Sequence, residues 1–172
     1  MRDLGARVGM TAQSIYSYFA SKHDIYDAMF GQGYRAFADW MAATDAELPA
    51  RPSQAVLVAQ ARADAHRYAE FCVSDPVRFQ LLFLRTIPGF VPSEASYTIA
   101  LQTLEQMRVR LRALGVDDEN GSDMWTAVMT GLVSQQIAND PGGDRWLRLV
   151  DSAVDMLLAH TSTRPVKKRG SR

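Results

Sequence analysis

Apolar residues recur every three or four positions along almost the whole chain, and no stretch sustains the two-residue alternation of a half-buried strand. The pattern predicts an all-α fold. A first short helix over residues 2–8 pairs Leu4 with Val8 and stops at Gly9, a residue suited to a left-handed terminus. A second opens at Thr11 as N-cap and runs to about Phe19, with Ile15 and Phe19 on one face. Ser21 opens a third through Ser-Lys-His-Asp, a capping box with Asp24 in place of the usual glutamate; Ile25, Met29, Phe30, Tyr34, Phe37 and Met41 carry it to about Thr44. Beyond the proline break at 49–52, Val56, Ala59, Ala63, Tyr68, Phe71 and Cys72 mark a long helix ending near Asp75. Pro76 then starts a short one through Phe79, Leu82 and Phe83.

Residues 85–92 hold two prolines and a glycine and are expected to form a loop. From Ser93 a helix carries Ile99, Leu101, Leu104, Met107, Leu111 and Leu114 to Gly115. A polar connection over 117–122 precedes a helix with Trp125, Met129, Leu132, Val133 and Ile137. Asn-Asp-Pro-Gly-Gly at 139–143 is a strong turn, and a last helix is expected from 144 to about 160, with Trp146, Leu149, Val150, Val154 and Leu157 on its apolar face.

Composition narrows the function classes. The 172 residues are 47% hydrophobic and 22% charged, an ordinary balance for a packed protein. No run approaches the ~20 apolar residues of a bilayer span, and the opening residues lack the apolar core of a signal peptide, so no membrane partner and a cytoplasmic location are expected. Cys72 is the single cysteine, and with three dispersed histidines it offers neither a disulfide framework nor zinc spacing. No cofactor or metal is expected. Formal net charge is zero, yet five of the nineteen basic residues (Arg164, Lys167, Lys168, Arg169 and Arg172) lie in the last nine positions. They read as a solvated, disordered basic tail over 163–172.

A helix-turn-helix needs two short helices at a steep angle, a small residue at the turn, apolar residues that lock the second helix, and a polar outer face. Residues 2–19 meet each demand, with Leu4, Val8, Met10, Ile15 and Phe19 inward and Gln13, Ser14, Tyr16, Ser17 and Tyr18 outward. On pattern alone, the same corner serves equally as two packed helices of a bundle. RDLGARVGMTAQSIYSYFASKHDIYDAM resembles the TetR-family signature, with Leu4, Gly9, Thr11, Ile15, Tyr16, Tyr18, Phe19 and Lys22 in register. Gly5 and Val8 stand where alanines are common in that family, and the helix that family members carry ahead of Arg2 has no counterpart, so the helix-turn-helix is expected to be truncated at its start.

The resemblance implies a transcriptional regulator, by family default a repressor, binding double-stranded operator DNA. Thr11, Gln13, Ser14 and Ser17 would lie in the major groove, and Tyr16 and Lys22 would contact phosphates. It also implies a partial DNA-binding domain over 1–30 and a helical domain over 31–162 that binds a small-molecule effector and forms a homodimer. Residues 125–146 resemble the corresponding segment of many actinobacterial members. Trp125, Met129, Leu132, Val133, Trp146, Leu149, Val150, Val154 and Leu157 are the expected dimer interface, the alternative being burial of both stripes within one subunit. An effector pocket is expected among Tyr68, Phe71, Cys72, Phe79, Phe83, Met107 and Trp125, with its mouth near residues 79–90. A helical ligand-binding protein that no longer binds DNA is the competing reading. Enzymatic chemistry is not expected: Asp64 and His66, two apart on a helix, point in different directions, and no Glu-x-x-His pair, phosphate loop or nucleophile elbow is present.

Overall fold

A computed structural model describes residues 9, 11–43 and 49–162, and every regular element among them is helical. The order is α1 (Ala12–Tyr18), α2 (Lys22–Ala42), α3 (Gln54–Ser74), α4 (Pro76–Phe79), a π turn (Gln80–Leu84), α5 (Glu94–Ala113), α6 (Glu119–Asn139), a 3-10 turn (Leu147–Leu149) and α7 (Val150–Ser162). The helix expected over 2–8, the inward placement of Leu4, Val8 and Met10, the side chain of Ile15 and the basic tail lie outside the described residues. Gly9 does take the left-handed conformation, at φ +68°.

Local chemistry sets most helix starts. Thr11 Oγ1 accepts from the Ser14 amide at 3.0 Å. At α2 the capping box is complete: Ser21 Oγ accepts from the Asp24 amide at 3.2 Å and Asp24 Oδ2 from the Ser21 amide at 2.9 Å. Ser53 and Ser93 cap α3 and α5 through the side chain alone, accepting from the Val56 and Ser96 amides. Three elements differ from expectation. Asp118 caps α6 through the Gly121 amide at 2.6 Å, so that helix begins inside the stretch read as a connection. The segment after Phe79 is a π turn rather than a continued α-helix. The last helix begins at Val150, not 144, because Gln136 Oε1 accepts from the amides of Trp146 at 2.9 Å and Leu147 at 3.4 Å and anchors that chain as a turn.

Two apolar clusters share helix α3. One joins α2, α3 and the π turn through Phe30, Phe37, Phe71, Cys72, Phe79, Leu81 and Leu82, the other joins α3, α6 and α7 through Ala61, Ala65, Met129, Val150, Val154 and Leu157, and Tyr68 packs against both. Phe37 is the aromatic centre, with ring centroids 5.0 Å from Phe71 and 5.4 Å from Phe83. Glycines let α2 approach its neighbours: a Cβ on Gly33 would stand 3.0 Å from Leu82, and one on Gly31 3.0 Å from Ser96. At the far end of α2, Trp40 Nε1 donates to the Arg67 carbonyl at 2.9 Å, Arg67 returns a hydrogen bond to the Trp40 carbonyl, and its guanidinium lies over the indole at 4.8 Å.

Candidate functional site

Two features stand apart from ordinary core, a polar short helix at the amino end and a cavity in the body. On α1, Gln13, Tyr16, Ser17 and Tyr18 are exposed, as is the capping Thr11, and Ser14 is half-buried. Three hydroxyls are engaged locally: Thr11 and Ser14 are 2.8 Å apart, and Ser17 donates to the Ser14 carbonyl at 2.7 Å. Ser17 therefore offers an outside group chiefly its acceptor lone pairs, while Gln13 and the Tyr16 and Tyr18 hydroxyls can each present both a donor and an acceptor. Lys22 is exposed on the first turn of α2, fixed in direction by the capping box just before it.

Near its amino end, α2 is tied to α5 by one carboxylate. Asp27 accepts from the Ser93 amide at 2.7 Å, the Ser93 hydroxyl at 2.8 Å and the Ser96 hydroxyl at 3.0 Å. Burial acts to raise this carboxyl, and the hydrogen bonds from Ser93 and Ser96 outweigh it, so that it titrates below the ordinary aspartate value.

The cavity encloses about 440 Å³ between α2, α3, the π turn, α5 and α6, within the size range of small-molecule sites. Tyr68, Phe83, Met107 and Trp125 line it as expected, joined by Phe30, Tyr34, Phe37, Met41, Leu104 and Met129. Phe71, Cys72 and Phe79 do not line it: they are buried at 6%, 1% and 2% exposure in the adjoining core, packed with Leu81 and Leu82 of the π turn. Of the polar wall residues, the sequence places Tyr68 in the pocket but not Tyr34, Asp64 or Arg110. Tyr34 donates to the Leu82 carbonyl at 3.1 Å, and Tyr68 pairs with Thr130 at 3.1 Å. Burial pushes both phenols well above their usual range, so both remain neutral. Arg110 meets Asp64 at 2.7 Å, and Gln60 donates to the other Asp64 oxygen at 2.9 Å.

The expected dimer residues divide. Met129, Val133, Val150, Val154 and Leu157 are 0–7% exposed within the single chain, packed in its own core, as in the alternative of burial within one subunit. Trp125, Leu132 and Trp146 are half-buried, and Leu149 is exposed. Asp64 and His66, weighed for catalysis, are held in ion pairs: His66 meets Asp151 at 3.0 Å and Asp64 is paired with Arg110; burial pushes the thiol of the single cysteine, Cys72, up to about 12. Among the described residues no group of three His, Cys, Asp or Glu could hold a metal, and no helix is long and apolar enough to cross a membrane.

An exposed polar helix thus stands ahead of an all-helical body with a ligand-sized cavity. Residues 1–29 match the family model for bacterial regulatory proteins, tetR family, so the amino end of the chain is similar to the DNA-binding segment of that family. The match covers the amino end alone; no curated protein and no solved structure matches the chain.

Proposed function

We propose that the chain is a ligand-responsive repressor: a homodimer grips operator DNA through α1 and Lys22, and a small, mostly apolar effector in the cavity releases it. In this reading residues 1–30 are the DNA-binding head and 31–162 the effector and dimerisation body, with α2 running unbroken across the boundary. The observation that supports it most is the double duty of α5. Ala100, Thr103, Leu104 and Met107 face the cavity, while Ser93 and Ser96 at the start of the same helix hold Asp27 of α2. A ligand that shifts α5 therefore acts on the helix that follows the reading helix directly.

The face available for dimerisation is the one turned away from the core: Met124, Ala127 and Gly131 on α6, Leu149 ahead of α7 and Met156 on it. Met124, Leu149 and Met156 are 48%, 40% and 57% exposed. A Cβ on Gly131 would meet nothing within 4 Å. A mid-helix glycine costs about 0.5–1 kcal/mol relative to alanine, and no contact within the chain requires it here. Close approach by a second copy supplies a reason.

Selection from a random duplex pool with the natural protein tests the DNA reading. The expected product is a two-fold symmetric site with half-site centres about 34 Å apart, as two copies of a helix-turn-helix demand. A pool that stays unenriched sinks it and leaves the helical ligand-binding protein without DNA affinity. Tyr16→Phe is expected to weaken binding to the selected site about three- to tenfold, the range for one lost phosphate hydrogen bond, measured by fluorescence anisotropy at fixed salt.

A further inference from the structure

Most polar groups on the cavity wall are already answered inside the protein. Tyr34 is bonded to the Leu82 carbonyl, Tyr68 to Thr130, and Arg110 to Asp64. Arg85 is different. It follows the π turn directly, and at φ 48° and ψ 43° it is the non-glycine residue with a positive φ among those described. An L residue avoids this conformation unless its surroundings impose it. Arg85 lines the cavity beside Tyr97, with its guanidinium 6.0 Å from that ring, and among the described residues no carboxylate lies within ion-pair distance of it. Arg110 cancels Asp64, so Arg85 leaves the wall with an uncompensated positive charge.

We propose that Arg85 anchors the head group of the effector, and that the effector is an organic anion: an apolar chain or ring system ending in a carboxylate. This rests on the reading of the cavity as the effector site and specifies the ligand class within it. The apolar body lies against Phe37, Phe83 and Met107, where dispersion and burial supply affinity without direction. The carboxylate stays at the exposed arginine, a planar fork of donors matched to two oxygens, and so escapes full desolvation. A neutral head group of equal length gains the burial alone. An ammonium meets the wrong sign.

Isothermal calorimetry on the natural protein at pH 7 tests this with two shapes of probe: decanoate, decan-1-ol and decylammonium, then 2-naphthylacetate with its alcohol and amine analogues. In the shape that fits, the anion is expected to bind about tenfold more tightly than the alcohol, the scale of one charge-assisted hydrogen bond, with the ammonium weakest. Arg85→Gln should bring the anion down to the alcohol while leaving alcohol affinity within about twofold, since a hydrogen bond without charge assistance is worth little at an exposed site. Arg85→Gly keeps the left-handed backbone without strain and should behave the same way, which separates loss of the guanidinium from damage to the turn. Equal affinity of anion and alcohol for the natural protein, or a preference that survives both substitutions, overturns the anion assignment while the effector cavity stands. If none of the six probes binds, the cavity reading falls and the assignment falls with it.

Discussion

Gln136 shows how much one buried amide can organise. It is 2% exposed, accepts from the Trp146 and Leu147 amides, and donates to Asp140. The Arg145 amide first, and Gln136 next, hold the Asp140 carboxyl below the usual range. The turn between α6 and α7 therefore depends on a side chain rather than on its own Asn-Asp-Pro-Gly-Gly sequence alone. Gln136→Leu fills the same space but leaves two backbone donors without their partner, at roughly 1–3 kcal/mol for each group left unsatisfied. Urea unfolding should register a loss of about 2–6 kcal/mol for the two amides together, and an unchanged midpoint would mean that the turn is held from elsewhere. Tyr68→Phe removes one bond to Thr130 and is expected to cost only about 1 kcal/mol by the same measurement.

At the scale of elements, the Asp27 attachment between α2 and α5 makes a pH prediction. The folded carboxyl titrates below its unfolded counterpart, so its contribution is present above the unfolded value, near pH 4, and fades as pH falls through the folded one. Asp27→Asn should lower stability by about 1 kcal/mol at pH 7, the order of a hydrogen bond to a charged group. The gap from the natural protein should close on acidification; a gap of constant size between pH 7 and pH 3 would show that the charge is irrelevant. Elements whose start is written in adjacent residues were legible in the sequence: Thr11, Ser21 and Ser93 each accept from an amide three residues on. The late start of α7 was not, since it depends on Gln136, ten residues before Trp146. Periodicity located the apolar stripes of α6 and α7 correctly but could not say what covers them, and Met129, Val133, Val150, Val154 and Leu157 turned out to face their own chain. The cavity was half legible for the same reason. Tyr68 and Phe83 face it while Phe71 and Phe79 do not, and the choice is made by the direction of helix packing, which hydrophobicity does not encode.

At the scale of the whole molecule, dimerisation has a clean test at Gly131. The space around it is open, so Gly131→Glu should leave the isolated chain at least as stable, glutamate being the better helix former by roughly 0.5–1 kcal/mol. On a surface that packs against a second copy, the same change places two like charges in contact. Sedimentation equilibrium should then find monomers at concentrations where the natural protein dimerises, with no drop in melting temperature beyond that due to losing the partner. A dimer that survives Gly131→Glu would move the interface to another face.

The two ends of α2 are fastened differently, and this limits how far any movement can grow. Trp40 and Arg67 act as a pivot, while Asp27 is the point where force enters. Thirteen residues separate Trp40 from Asp27 and eighteen separate it from Lys22, about 20 Å and 27 Å of helix. A sideways push of about 1 Å at the carboxylate thus swings Lys22 by only about 1.4 Å, a stiff arm with little mechanical gain. On the proposed dimeric reading, most of any change in reach between the two heads would then come from how the two bodies tilt against each other.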